Sequence, residues 1–190
     1  MGTFYPGPVN ELWRRASRIG RPAEFDSKGT AASFECGVSV RVFVLVDEKG
    51  VLSSVRYVSN GCGWSVAAAE AATRLIEGKR LRDLHALDEL ESDICTVLGP
   101  VPDSRESCIA IAVEAVRDAL AEYRRVRAAE WKGETALICS CFGVSEETIE
   151  SLSASGEAET VEDIGDLCRA GTGCGSCQIL IREIILEGLR

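Results

Sequence analysis

Nine cysteines stand in a chain of 190 residues, and four of them form two close pairs: Cys139-Ser140-Cys141 and Cys174-Gly175-Ser176-Cys177. Thiolates are soft ligands that hold zinc or iron–sulfur clusters. A short pair delivers two ligands with little added loop-closure entropy, so two pairs far apart in sequence bring four thiolates to one place. Gly173 and Gly175 flank the second pair and allow close backbone approach. Cys177 is expected in the first turn of the last helix, where free amides and the positive dipole end favour negative charge. Three chemistries remain open for the set: buried cysteines without metal, a structural zinc site, or an iron–sulfur cluster. Structural zinc usually takes C-x₂₋₄-C at both ends, and the C-x-C spacing weighs toward the cluster.

Three further cysteines are isolated. Cys36 precedes Gly37 at the entrance of an expected strand, and Cys62 lies between Gly61 and Gly63 at a strand-to-helix turn. Cys108 is expected in the first turn of a long helix. Taken singly, such residues are most often small buried hydrophobes. Loops and helix starts are nevertheless where thiols become reactive or bind metal. Cys95 and Cys168 fall outside these positions and read as packing residues. The single histidine, His85, reads as an ordinary residue on a helix.

The elements that must position these residues divide at an expected linker, 129–135. Residues 31–58 read as a β-meander. Val38, Val40, Val42, Val44 and Val46 alternate with Ser39, Arg41, Phe43 and Leu45, a period of two. Asp47-Glu48-Lys49-Gly50 is a turn signal, Val51–Val58 a returning strand, and Ala31–Glu35 a third strand. Helices are expected over Trp64–Glu77, Leu84–Val97 and Glu106–Arg127. The last carries Ile109, Ala112, Val113, Val116, Leu120 and Tyr123 on one face. Beyond the linker, Ser145 caps a helix running through Leu152, and Thr160 with Asp163 forms a capping box for another to Arg169. A final helix is expected over Gly175–Leu189, its apolar side formed by Ile179, Leu180, Ile184 and Ile185.

Composition narrows the classes. Hydrophobic residues make up 46% and charged residues 27%, and the formal net charge is −9. Such a chain repels nucleic acid unless it carries a local basic patch. The one basic run, Arg124-Arg125-Val126-Arg127, reads as a helix end that complements the macrodipole. No run of 18 uncharged apolar residues is present, so no membrane helix is expected. The first ten residues lack a basic segment followed by an apolar one, so no secretory signal is expected. An odd cysteine count without a signal favours a reducing cytoplasm and metal over disulfides.

Leu137-Ile138-Cys139-Ser140-Cys141-Phe142-Gly143-Val144-Ser145, with Ala170-Gly171-Thr172-Gly173-Cys174-Gly175-Ser176-Cys177, resembles the bacterioferritin-associated-ferredoxin-like [2Fe–2S] domain. The resemblance covers residues 136–190 and implies Cys139, Cys141, Cys174 and Cys177 as ligands of a permanent [2Fe–2S] cluster. Glu35-Cys36-Gly37, Val46-Asp47-Glu48-Lys49-Gly50-Val51, Asn60-Gly61-Cys62-Gly63, Ile76-Glu77-Gly78-Lys79 and Leu98-Gly99-Pro100-Val101-Pro102 with Cys108 resemble the NifU N-terminal or IscU-type scaffold family. That resemblance covers roughly residues 8–128. It implies a transient cluster on Cys36, Cys62 and Cys108, sulfur from a cysteine desulfurase, and delivery to apo iron–sulfur client proteins, with no enzymatic turnover of an organic substrate.

Two positions depart from the family pattern. Val38 stands where the family has aspartate, and Ser107 where it has histidine; Glu35, Ser107 or a partner is left as a source of a fourth ligand. The fold implied is α+β: an IscU-like antiparallel sheet packed with helices over 1–128, then a small all-α [2Fe–2S]-binding domain over 136–190. A [2Fe–2S] electron-transfer or redox-sensing protein with a degenerate scaffold domain is the alternative function, and a zinc-dependent sulfur acceptor of the SufU type a third. A homodimer is left open.

Overall fold

The computed structural model describes residues 4–84, 87, 89–130 and 136–188. His85 and most of the expected linker, 131–135, lie outside the described residues. The chain divides into two compact units. The first comprises Met1–Val46, Leu52–Gly78 and Leu87–Glu122, the second Asp47–Val51, Lys79–Ala86 and Tyr123–Arg190.

In the first unit the period-two valines form a strand. An antiparallel sheet runs in the order β1 (Ser27–Ala32), β2 (Ser39–Val46), β3 (Leu52–Ser59). Val40, Val42 and Val44 are fully buried on one face, and Phe43 on the other packs edge-on against Phe25. The first strand starts earlier than expected and ends before Ser33. The Ser33 amide donates to Val38 O and the Gly37 amide to Ser33 O, which closes a turn over residues 33–38. Gly37, at φ +69°, supplies the left-handed step. Cys36 therefore rides on a tight turn rather than in an extended lead-in.

Helix α1 (Gly7–Arg14) precedes the sheet, and α2 (Gly63–Ile76), α3 (Leu90–Leu98) and α4 (Asp103–Ala129) follow it. Alanines make α2 narrow enough to be buried on nearly every side, the mark of a central helix. A short 3₁₀ turn at Leu81–Leu84 stands where the helix ending at Leu98 was expected to begin, so α3 is shorter than that expectation. α4 starts directly after Pro102, one turn earlier than its apolar periodicity indicates, and Cys108 lies in its second turn rather than its first.

The second unit contains a short hairpin, β4 (Leu137–Cys139) with β5 (Val144–Ser145), and helices α5 (Glu146–Ala154), α6 (Val161–Cys168) and α7 (Gln178–Gly188). The hairpin adds a small sheet to what sequence reads as all-α; two paired residues per strand are too few to show a period. Ser145 Oγ accepts from the Thr148 amide, and Thr160 and Asp163 form the full capping box. Ile149, Ile164 and Ile181 are fully buried at the centre, with Ile185 beside them. The expected apolar side of α7 is corrected: Ile181 and Ile185 face inward, whereas Ile179 and Leu180 are exposed. The helix begins only at Gln178 because Gly175 takes φ +77°, outside the helical region.

Candidate functional site

Three separate elements bring Cys36, Cys62 and Cys108 to one pocket of ≈ 400 Å³ in the first unit. Cys36 comes from the β1–β2 turn, Cys62 from the residue that starts α2, and Cys108 from α4. Cys36 and Cys62 are exposed, and Cys108 is buried. Asn60 ties the first two loops together: its Oδ1 accepts from the Ser39 amide at 2.7 Å and its Nδ2 donates to Gly37 O at 3.1 Å. Tyr5 Oη accepts from the Gly63 amide at 3.1 Å and so steadies the residue after Cys62.

Glu35, Val38 and Ser107, the positions singled out by sequence, all line the same pocket. Val38 is buried and presses on Gly61, where a Cβ would stand 2.2 Å from Val38 Cγ2. Only glycine admits that approach. Sequence reading missed Arg105. It sits in the first turn of α4, lines the pocket, and its Nη1 stands 3.8 Å from Cys62 Sγ as a hydrogen-bond donor. Its signal in the sequence was a cation three residues before Cys108, one helical turn away.

The thiols differ electrostatically. The Ser33 hydroxyl, then the Val38 amide, hold Cys36 below the ordinary thiol range. Burial, then the neighbouring Cys62, push Cys108 up to about 11. Cys36 thus ionises more readily than an ordinary thiol and Cys108 less readily.

In the second unit the two expected pairs meet crosswise. Cys141 Sγ donates to Cys174 Sγ at 3.5 Å, and Cys177 and Cys139 act on each other electrostatically. The Cys177 hydrogen bond, with the amides of Gly171, Phe142 and Cys141, overcomes burial and lowers Cys139 to about 6. The neighbouring Cys139, then burial, correspondingly push Cys177 up. A hydroxyl hydrogen bond from Ser176 lowers Cys174, and burial raises Cys141. Cys177 is the residue just before α7, with its carbonyl accepting from the Ile181 amide, rather than part of the first turn. Among the described residues no group of three or more Cys, His, Asp or Glu is gathered tightly enough to enclose a single ion. Two thiol pairs, each with one member from each motif, fit a two-iron group that takes two thiolates per iron. Amides converging on Cys139 suit the negative charge of such a group.

Cys95 and Cys168 stay outside both constellations. Cys95 is half-buried beside a different pocket, next to Gly99 and Pro100. Cys168 Sγ donates to Ile164 O at 3.2 Å within α6, a packing arrangement.

The first unit thus carries a pocket lined by three cysteines and the second a meeting of two cysteine motifs, and both regions have known relatives. Residues 5–130 match the NifU-like N terminal domain and residues 137–187 the BFD-like [2Fe-2S] binding domain. The chain belongs to the NifU-like N-terminal domain family, with a BFD-like [2Fe–2S] binding domain after it. It is 31% identical over 171 residues to "Nitrogen fixation protein NifU" of Trichormus azollae, covering 88% of this chain and 56% of that one. It is 26% identical over 102 residues to "Iron-sulfur cluster assembly scaffold protein IscU" of Escherichia coli K12, covering 54% of this chain and 77% of that one. A solved NifU-like N-terminal structure from Brucella abortus aligns with 60% of this chain and 90% of that chain, at 21% identity and a TM-score of 0.48. The chain spans a little over half the length of the NifU relatives it matches. No helix among the described residues is long and apolar enough to cross a membrane.

Proposed function

We propose that this chain is an iron–sulfur cluster assembly scaffold with two sites of different permanence. In this reading Cys36, Cys62 and Cys108 receive a transient cluster as cargo, and Cys139, Cys141, Cys174 and Cys177 hold a resident [2Fe–2S] cluster. The observation that carries it is the convergence of three cysteines, distant in sequence, on one solvent-open pocket of the first unit. Openness suits cargo that must leave. Of the C-terminal thiols, Cys139 and Cys177 are buried, Cys141 is half-buried and Cys174 exposed, and the fourth thiol with the two buried ones suits a group that stays.

A cysteine desulfurase would supply sulfur to the open pocket, and apo iron–sulfur proteins would take the cluster away. The resident cluster would supply one-electron chemistry. The chain's own part is to bind, orient and release, without breaking bonds in an organic substrate, and the cytoplasm is the compartment its nine free thiols suit. In this reading residues 1–128 are the scaffold and 136–190 the cluster module, joined through 129–135.

The test is reconstitution of the full chain with iron, cysteine and a desulfurase. Native protein should bind two populations of cluster iron. Replacing Cys36, Cys62 and Cys108 together by Ser should remove one; replacing any of the four C-terminal cysteines should remove the other. Val38 and Ser107, both facing the pocket in place of stronger ligands, favour a second reading: a [2Fe–2S] electron-transfer or redox-sensing protein whose scaffold site is idle. That reading gives one population only, on the C-terminal cysteines.

A further inference from the structure

Within the scaffold reading, on which this rests, a cluster-receiving protein must come to the three-cysteine pocket, take the cargo and leave. We propose that this protein docks on the face of the sheet opposite Val40, Val42 and Val44, and that the surface it presents there is acidic.

Register puts the residues of this face side by side. Lys28 on β1, Phe43 on β2 and Arg56 on β3 form one cross-strand row, and Thr30, Arg41 and Val58 form the next. Phe25 packs edge-on against Phe43, and the Arg21 guanidinium lies 5.7 Å over the Phe25 ring. Lys28, Arg41 and Arg21 are exposed and Arg56 is half-buried. Arg41 Nε donates to the Thr30 hydroxyl and Arg56 Nη1 to Ser17 O, partners that carry no charge. Among the described residues none of these cations is held in an ion pair. The nearest carboxylate along β1, Asp26, precedes the strand, and its Oδ2 accepts from the Val46 amide. Like charges gathered on one sheet face without counter-charges cost stability. They also run against a formal net charge of −9. Departures of this kind from local surface rules are concentrated at functional sites.

Position and chemistry select the occupant. Val38 and Asn60 line the pocket, and the Arg41–Val58 row lies at the adjoining end of β2 and β3. At the rise of a strand, Arg41 stands about 10 Å along the chain from Val38. A protein seated on the face therefore has its edge at the pocket. Among the described residues, none of the exposed large hydrophobic side chains lies on β1, β2 or β3. Charge without an apolar anchor speeds encounter and leaves dissociation fast. A recipient needs both; a lasting partner needs the anchor. Nucleic acid is the other polyanion a cationic face attracts, and the net charge of the chain opposes it.

The experiment loads the full chain from iron and sulfide and follows transfer to an acidic plant-type apo-ferredoxin by visible circular dichroism, over a range of acceptor and salt concentrations. The native second-order rate should fall steeply with salt. Lys28→Glu combined with Arg41→Glu should lower it about tenfold at low salt. The limiting rate at saturating acceptor should stay native, a split that a structural defect would not give. Lys28→Arg combined with Arg41→Lys should keep the native rate. Lys49→Glu, in the exposed β2–β3 turn, controls for net charge and should lower the rate far less. An unchanged second-order rate in the double reversal, a lowered limiting rate, or an equal loss from Lys49→Glu overturns the inference. So does unchanged transfer with loss of binding to labelled duplex DNA, the result a nucleic-acid face would give. Transfer by native protein that the double reversal matches overturns the docking face alone. A native chain that takes up no cluster on Cys36, Cys62 and Cys108 overturns the scaffold reading as well.

Discussion

Val38 occupies the wall of an open pocket lined by three thiols, where an aspartate would offer iron an oxygen and add negative charge beside an anionic cargo. Valine does neither and discourages water entry. Under the proposed scaffold function it would slow release and offset in part the missing fourth ligand. Val38→Asp should speed transfer from the loaded chain to an apo-ferredoxin about tenfold, or about 1.4 kcal/mol in the barrier. Stopped-flow transfer measured on folded variant checks this, and unchanged or slower transfer would make Val38 a packing residue only. Gly173 makes a second residue-scale case. A Cβ there would stand 2.8 Å from Cys141 Cβ and 3.0 Å from its sulfur. Gly173→Ala should displace Cys141 and abolish the paramagnetic signal of the reduced C-terminal cluster. Gly188→Ala, whose Cβ would meet nothing closer than 3.4 Å, should retain it. The meeting of the two cysteine motifs was legible because close pairs at short spacing mark thiols that act together. Asn60 and Tyr5 were not: they meet their cysteine loops across 23 and 58 residues of chain, and no local pattern marks such a meeting; Arg105 meets Cys62 across 43 residues and had only its spacing from Cys108 to mark it.

α2 is the element that presents Cys62, and a buried carboxylate anchors it. Glu70 is fully buried, accepts from the amides of Ser17 and Arg18 at 3.1 and 3.2 Å, and pairs with Arg74 at 2.9 Å. Burial pulls its pKa upward, but those two amides and the Arg74 guanidinium more than offset this and hold it below the usual carboxylate value. Glu70→Ala should therefore cost about 3 kcal/mol, read from urea unfolding, because two amides and a guanidinium lose their acceptor. The lowered pKa gives the sign with pH. The contribution is fully present above the ordinary glutamate value, about 4.3, and is lost as pH falls through the lower folded value. Native protein should weaken more steeply than Glu70→Ala in that acidic window. Long periodic elements such as β2 and α4, and the two capped helices, were legible in the sequence. α1 was not, because it buries only Val9 and Leu12, too few to show a period. α7 was displaced toward its N-terminus because the left-handed Gly175 lies inside an otherwise helical-looking run.

Under the proposed function, a site of three thiols and a site of four, two of them buried, should hold their clusters with different tenacity, and that difference is the central claim. The pairing of Cys141 with Cys174 and of Cys139 with Cys177 supplies the C-terminal module with four thiolates, whereas the N-terminal pocket offers three. The family resemblance of both regions was legible in the sequence from their cysteine motifs. The assignment of the Asp47–Val51 turn to the second unit was not, since a hairpin turn carries no sequence mark of what it packs against. The most direct measurement is chelator stripping of the fully reconstituted chain, followed by visible circular dichroism and by the paramagnetic signal after reduction. The account predicts two phases. The fast phase should vanish when Cys36, Cys62 and Cys108 are replaced, and the slow phase when Cys139, Cys141, Cys174 or Cys177 is replaced. A single phase unaffected by the N-terminal replacements, or stoichiometric zinc without iron in protein grown with ample iron, would contradict it.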